Sequence, residues 1–175
     1  MTHTSIDWSS GSWTHPPVSA HPEGSDLLVT AEEGSDAWRT TSYAFVHDSE
    51  HALVKPFEIG TAIEVSFLCE LSEQFDQAGL MVRADSTTWV KAGVEFADGA
   101  PQLGAVVTHQ TSDWSVAPVP TWAGRSVTIR ASRAGNALTV RARVDHEDWS
   151  LVRVCYWPDD RDTFAGPHVS APTRA

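Results

Sequence analysis

Cysteine, tyrosine and methionine are scarce in this chain, two of each in 175 residues. Cys69 and Cys155 both sit inside β-like runs, so no disulfide framework is implied. They are expected to be free thiols in a reducing compartment. Basic residues are also few. Lys and Arg number 12 against 23 Asp and Glu, for a formal net charge of −11. That balance argues against nucleic acid or an anionic membrane as a general partner. No apolar run approaches the ~20 residues of a membrane-spanning helix. The opening stretch MTHTSIDWSSGSW has neither the basic start nor the apolar core of a secretory signal. A cytoplasmic protein without membrane contact is the expectation. Helical periodicity, internal repeats and linkers are missing too. One domain spanning 1–175 is expected, and the length suffices for a real core.

Chemical signatures are equally sparse. There is no phosphate-cradling glycine loop, no zinc spacing and no nucleophile motif. The run His47-Asp48-Ser49-Glu50-His51 would need a helix to align both histidines on a metal, and it reads as a β-turn. Neither metal nor cofactor is expected.

What the chain does have is strands. Segments 26–31, 38–46, 61–70, 77–84, 89–96, 102–109, 126–133, 137–145 and 150–157 read as β, separated by Gly, Pro, Asp and Asn clusters. Short strands with such punctuation predict an all-β sandwich. There are also 8 tryptophans, a side chain that stacks on flat or ring-shaped ligands but fills cores as well.

Two adjacent segments carry the most information. In 77–84 and 89–96 every even position is apolar. The odd positions are Gln77, Gly79, Met81 and Arg83, then Trp89, Lys91, Gly93 and Glu95. Period-two alternation puts Val82, Val90, Val94 and Phe96 in a core. The opposite face resembles the floor of a binding site. A hairpin pairing Arg83 with Trp89 sets Lys91 against Met81, Gly93 against Gly79 and Glu95 against Gln77. The facing glycines leave room for a ligand or for another backbone. In 138–144 the apolar face is clean and the other carries Thr and Arg, as in a sheet with one solvated side. In 150–157 Arg153 shares a face with Leu151, Cys155 and Trp157 and is read as pointing into a groove.

These residues resemble a known family. Trp38-Arg39-Thr40-Thr41-Ser42-Tyr43-Ala44-Phe45 with Asp48 and His51, then 76–83, 89–95, Thr108 and Ser112-Asp113-Trp114-Ser115, are similar to the domain-of-unknown-function family 1349. Its members include the fungal regulation-of-enolase protein. The resemblance implies a two-sheet antiparallel jelly-roll sandwich of the concanavalin A-like lectin/glucanase type, with one concave face. It implies no settled reaction. Family members usually continue past the equivalent of Ala165-Gly166-Pro167 into a final apolar strand. This chain runs into Ser170-Ala171-Pro172-Thr173-Arg174-Ala175, so one sandwich edge is expected to differ.

Three classes of function stay open. The first is a module binding a saccharide or another polyhydroxylated small molecule. Trp89 would stack on a ring face, and Gln77, Lys91, Glu95 and Arg153 would meet hydroxyls. Asp113 and Trp114, expected in a loop, would close over the ligand. The second is a carbohydrate-active enzyme, hydrolase or lyase, with Glu95 and Asp76 as its catalytic carboxylates. The closely spaced acidic triplet of many glucanases of this fold is lacking. The third is a regulatory protein that binds another protein. Each candidate has a plain structural alternative. The polar face could be a buried network, Asp76 a turn former, Asp113 an Asx-turn with Trp114 packed on the edge, and Arg153 the partner of Glu95. The first class is the reading preferred on sequence.

Overall fold

The computed structural model describes residues 4–174. It contains fifteen strands and two short 3-10 turns. In chain order the strands are β1 Ser12–Trp13, β2 Ser19–Glu23, β3 Asp26–Thr30, β4 Ala37–Arg39 and β5 Val46–Asp48. Then come β6 His51–Pro56, β7 Ala62–Leu68, β8 Gln77–Asp85, β9 Thr88–Ala97 and β10 Ala100–His109. The last are β11 Thr111–Pro118, β12 Ser126–Ala134, β13 Ala137–Val144, β14 Ser150–Tyr156 and β15 Phe164–Ser170. Among the described residues no helix is long and apolar enough to cross a membrane.

Seven strands form one sheet in the order β1-β6-β15-β8-β9-β10-β11, and four form a second in the order β14-β13-β12-β7. They pack as an antiparallel jelly-roll sandwich. Leu80, Val82, Val90 and Val94 of the larger sheet are buried against Val127, Ile129, Leu138 and Val140 of the smaller one. Phe96, expected beside them, is only half-buried. The clean apolar face of β13 does point inward. Its Thr139, Arg141 and Arg143 stay half-buried outside, where Arg130 and Arg143 lie over the Trp149 ring. Both cysteines are free thiols, and burial pushes each thiol up from its ordinary range.

The β8–β9 pairing follows the alternation: Gln77 faces Glu95, Gly79 faces Gly93, Met81 faces Lys91 and Arg83 faces Trp89. A two-residue turn joins the strands. Asp85 Oδ1 accepts bonds from the Thr87 amide and hydroxyl, both at 2.8 Å. This local Asx-turn pins the register. The β9–β10 turn uses Asp98 and Gly99 at φ 54° and 79°, the left-handed pair that a tight hairpin requires.

Segment 38–46 is not one strand. It splits into β4, a loop and β5, a hairpin lying on the outer face of the large sheet. The hairpin seals Trp38 with Ala37, Ala52, Met81, Trp89 and Val106 in a second apolar cluster.

The end of the chain also departs from expectation. β15 is no altered edge. It sits between β6 and β8, in the sheet interior. Its ladder with β6 is interrupted between Ala165 and His168, where Pro167 has no amide hydrogen to donate. A Cβ on Gly166 would lie 1.8 Å from the Leu53 carbonyl oxygen.

Candidate functional site

One end of the large sheet's outer face is roofed by the β4–β5 hairpin. The other end is open and forms a pocket, a shallow depression whose interior holds only about 30 Å³. Ordinary small-molecule pockets begin near ~300 Å³, so a ligand here rests on the face of the sheet with few of its atoms inside the depression. Gln77, Lys91, Glu95, Gln102 and His168 supply its polar groups, and Val106, Trp114 and Val116 its apolar wall.

These side chains share a face because the registers align them. Gln102 pairs with Glu95, and Val106 with Lys91. Trp114 pairs with Val106. Ser170 pairs with Gln77, and His168 with Gly79. The glycines on this floor serve the sheet rather than a ligand. A Cβ on Gly79 would lie 2.1 Å from the Ala92 carbonyl oxygen, and one on Gly93 would lie 2.1 Å from that of Ala78.

Asp36 reaches the pocket from outside the large sheet. Residues 33–36 fasten onto the end of β15. Gly34 N donates to the Ala171 carbonyl at 2.9 Å, and Ala171 N donates to Ser35 Oγ at 3.0 Å. Asp36 Oδ1 then accepts from Lys91 Nζ at 2.7 Å and from Gln77 Nε2 at 3.2 Å. Gln77 Nε2 also donates to the Phe75 carbonyl at 3.2 Å. Phe75 holds a left-handed φ of 68°, a conformation rare for a bulky residue.

Two groups stay unused. The Glu95 carboxylate makes no hydrogen bond to another described residue. Burial pushes its carboxyl up to about 7, against a pull downward from Lys91 and a push upward from Asp36. His168 is buried, its Nδ1 has no partner, and its Nε2 lies 3.3 Å from Ser170 Oγ. Burial, with Lys91 and His51 nearby, holds its imidazole down to about 3, so the ring is neutral near pH 7. Among the described residues no group of three or more His, Cys, Asp and Glu side chains is placed to hold a metal ion.

Several sequence candidates lie elsewhere. Trp89 is 1% exposed under the β4–β5 hairpin, so its ring is not offered to a ligand. The hairpin that covers it could not be seen from the alternation of β9. Asp76 is buried and does not line the pocket. Its Oδ2 accepts from the Glu73 amide at 3.1 Å and from Arg174 Nη2 at 2.9 Å. It tightens its loop and ties down the chain end.

Asp113 and Trp114 lie in β11 rather than in a loop. Trp114 faces the pocket, while Asp113 points the other way and is largely exposed. Arg153 pairs with neither the pocket nor Glu95. A bulge in the β13–β14 ladder sets Arg153 opposite Val140 but Leu151 opposite Arg141, so the two do not share a face. Arg153 points inward at the sandwich edge and donates to Ser115 Oγ at 3.0 Å, with Asp113 at 3.7 Å. It clasps β14 to β11. Of the eight candidates, Gln77, Lys91, Glu95 and Trp114 meet at one pocket. Asp36 and His168 were missed. Asp36 read as turn punctuation, and His168 follows a Gly-Pro step that hides its strand.

Comparison with known proteins agrees with the architecture. The family described as "Protein of unknown function (DUF1349)" matches residues 13–175. Regulation of enolase protein 1 of Saccharomyces cerevisiae is 34% identical over 168 residues, which is 95% of this chain and 83% of that protein. The crystal structure of a functionally unknown protein from the same yeast superposes with a TM-score of 0.90 at 32% identity, over 97% of this chain and 91% of that one. A xylan β-1,4-xylosidase from Bacillus halodurans superposes with a TM-score of 0.53 at 16% identity, over 77% of this chain and 28% of that one. At that identity the likeness concerns the fold alone.

Proposed function

The chain belongs to the DUF1349 family, and from that premise, which brings a fold but no activity, we propose that the outer-face pocket binds a small polyhydroxylated molecule, a saccharide in the first instance. One observation carries this reading. The half-buried Glu95 carboxylate and the buried His168 Nδ1 both line the pocket and have no protein hydrogen-bond partner among the described residues, and buried polar atoms such as that Nδ1 normally find one. A carboxyl near its midpoint at pH 7 serves as donor or acceptor, and a neutral imidazole does the same. Hydroxyl groups match both. Trp114, Val106 and Val116 stand beside them as an apolar wall for the C–H face of a sugar ring. Lys91 and Gln77 contribute less freely, because Asp36 already holds them.

Glycoside cleavage is less well supported. It generally needs two carboxylates across the scissile bond, and Asp76, whose Oδ2 is held by Arg174 and its own loop, does not line the pocket beside Glu95. The yeast relative's name suggests a protein partner instead. A thermal-shift screen against neutral sugars and sugar acids tests the proposal, since a ligand of the folded state raises its Tm. A sugar that raises Tm in wild type but not in Glu95→Gln supports it. No shift with any sugar, together with a complex formed with purified enolase, would favour the protein partner.

A further inference from the structure

A row of aromatic rings leads from the pocket wall out to solvent. Trp114 lines the pocket and meets Trp38 edge-on, with centroids 6.4 Å apart at 88°. Trp38 meets Tyr43 at 5.6 Å and 65°. Tyr43 stacks on Phe45 at 5.5 Å and 16°. The two outer rings are exposed, Tyr43 by 55% and Phe45 by 42%.

The loop that carries them is held in place. Thr40, Ser42 and Ala44 all take left-handed φ values, 56°, 67° and 55°, which non-glycine residues seldom adopt and which surrounding structure must enforce. Thr40 N donates to the Phe45 carbonyl at 2.8 Å, and Ala44 N to that of Thr40 at 2.9 Å. Trp38 Nε1 donates to the Thr41 carbonyl at 3.1 Å. Arg39 N donates to Ser112 Oγ at 2.9 Å, which stitches the hairpin to β11. A tightly fixed loop thus presents two nearly parallel, mutually stacked rings to water.

Resting on the saccharide reading of the pocket, we propose that the Tyr43 and Phe45 rings are a second subsite, which stacks the following units of an oligosaccharide whose end unit rests on the pocket. The pocket is too shallow to enclose a ring, so a ligand of several units that rests on it continues over the surface beside Trp114. Beyond Trp114 the buried Trp38 leads edge-on to the exposed rings of Tyr43 and Phe45. Pyranose C–H faces stack on such rings, and a fixed loop lowers the ordering cost of doing so.

Titration calorimetry of the full chain separates the outcomes. The probes are glucose, mannose and xylose, each beside its β-1,4-linked tetramer. At least one tetramer should bind roughly 5-fold or more tighter than its monomer. Tyr43→Ala/Phe45→Ala should abolish that gain and leave monomer affinity and Tm unchanged. Should the double variant lose its fold, Tyr43→Leu/Phe45→Leu keeps apolar bulk without the flat rings and should show the same loss. A tetramer no tighter than its monomer, or a gain that survives these variants, overturns the subsite and leaves the pocket reading standing. Absence of binding by every probe overturns both.

Discussion

Gly79 and Gly93 face each other across β8 and β9, and each occupies space that the partner strand's backbone would deny to a side chain. Their Cα atoms approach so closely that a Cβ on either would lie 2.7 Å from the other's Cα. Of the two close approaches that the facing glycines allow, a ligand's or another backbone's, the structure shows the backbone's. A similar contact recurs in the next strand, where a Cβ on Gly104 would lie 2.1 Å from the Ser115 carbonyl oxygen. The pocket floor therefore depends on glycines that no ligand touches first.

Gly79→Ala and Gly93→Ala should each destabilise the fold by ~3 kcal/mol or more, because the obstruction is backbone and cannot rotate away. Urea denaturation measures this. A loss below about 1 kcal/mol in either variant would mean that the two strands can separate, and that the glycines are there for another reason.

Lys91 is no free ligand group. It is buried against Asp36, whose side chain keeps 20% exposure. Lys91→Met should leave that carboxylate without its cation and cost ~3 kcal/mol. The low end of the range for broken buried pairs applies, since Asp36 retains some water. Adding Asp36→Asn should recover part of the loss. A double-mutant cycle showing no coupling would assign the cost to packing alone.

Much of this was legible in the chain, for local reasons. The β8–β9 register, the inward valines and the polar opposite face follow from strict alternation and a short turn. Gln77, Lys91 and Glu95 were found by the same signal. What escaped depends on contacts distant in sequence. Trp89 looks like a stacking platform until the β4–β5 hairpin covers it. That hairpin is folded by three left-handed residues, Thr40, Ser42 and Ala44, none of which is a glycine that would announce a turn. β11 is too polar to read as a strand, and its exposed Asp113 faces away from the pocket. β15 carries Gly166-Pro167 at its centre, a step that ordinarily argues against an interior strand. The structure tolerates it by interrupting the ladder to β6 there. His168 was hidden with that strand.

Glu95 and His168 give stability opposite responses to pH. Glu95 stands at about 7 in the fold against 4.5 as a free side chain. Between those values the folded protein keeps a proton that the unfolded chain releases, so stability falls as pH rises. His168 stands at about 3 in the fold against 6.5 free. Between those values the unfolded chain gains a proton that the folded protein refuses, so stability falls as pH drops. From roughly pH 4.5 to 6.5 the two contributions nearly cancel, each having a slope of ~1.4 kcal/mol per pH unit. Glu95→Gln removes only the first. Other groups titrate alike in both proteins, so the difference between variant and wild type isolates Glu95. That difference should shift in the variant's favour by up to ~3 kcal/mol between about pH 4.5 and 8. Below neutrality the variant should show the uncovered histidine slope, losing stability toward acid where wild type is flatter. Urea melts at about pH 4.5, 5.5, 6.5 and 8 measure both effects. Parallel profiles for the two proteins would show Glu95 ionising like a surface carboxylate. The pocket would then present an anion rather than a protonated carboxyl to its ligand.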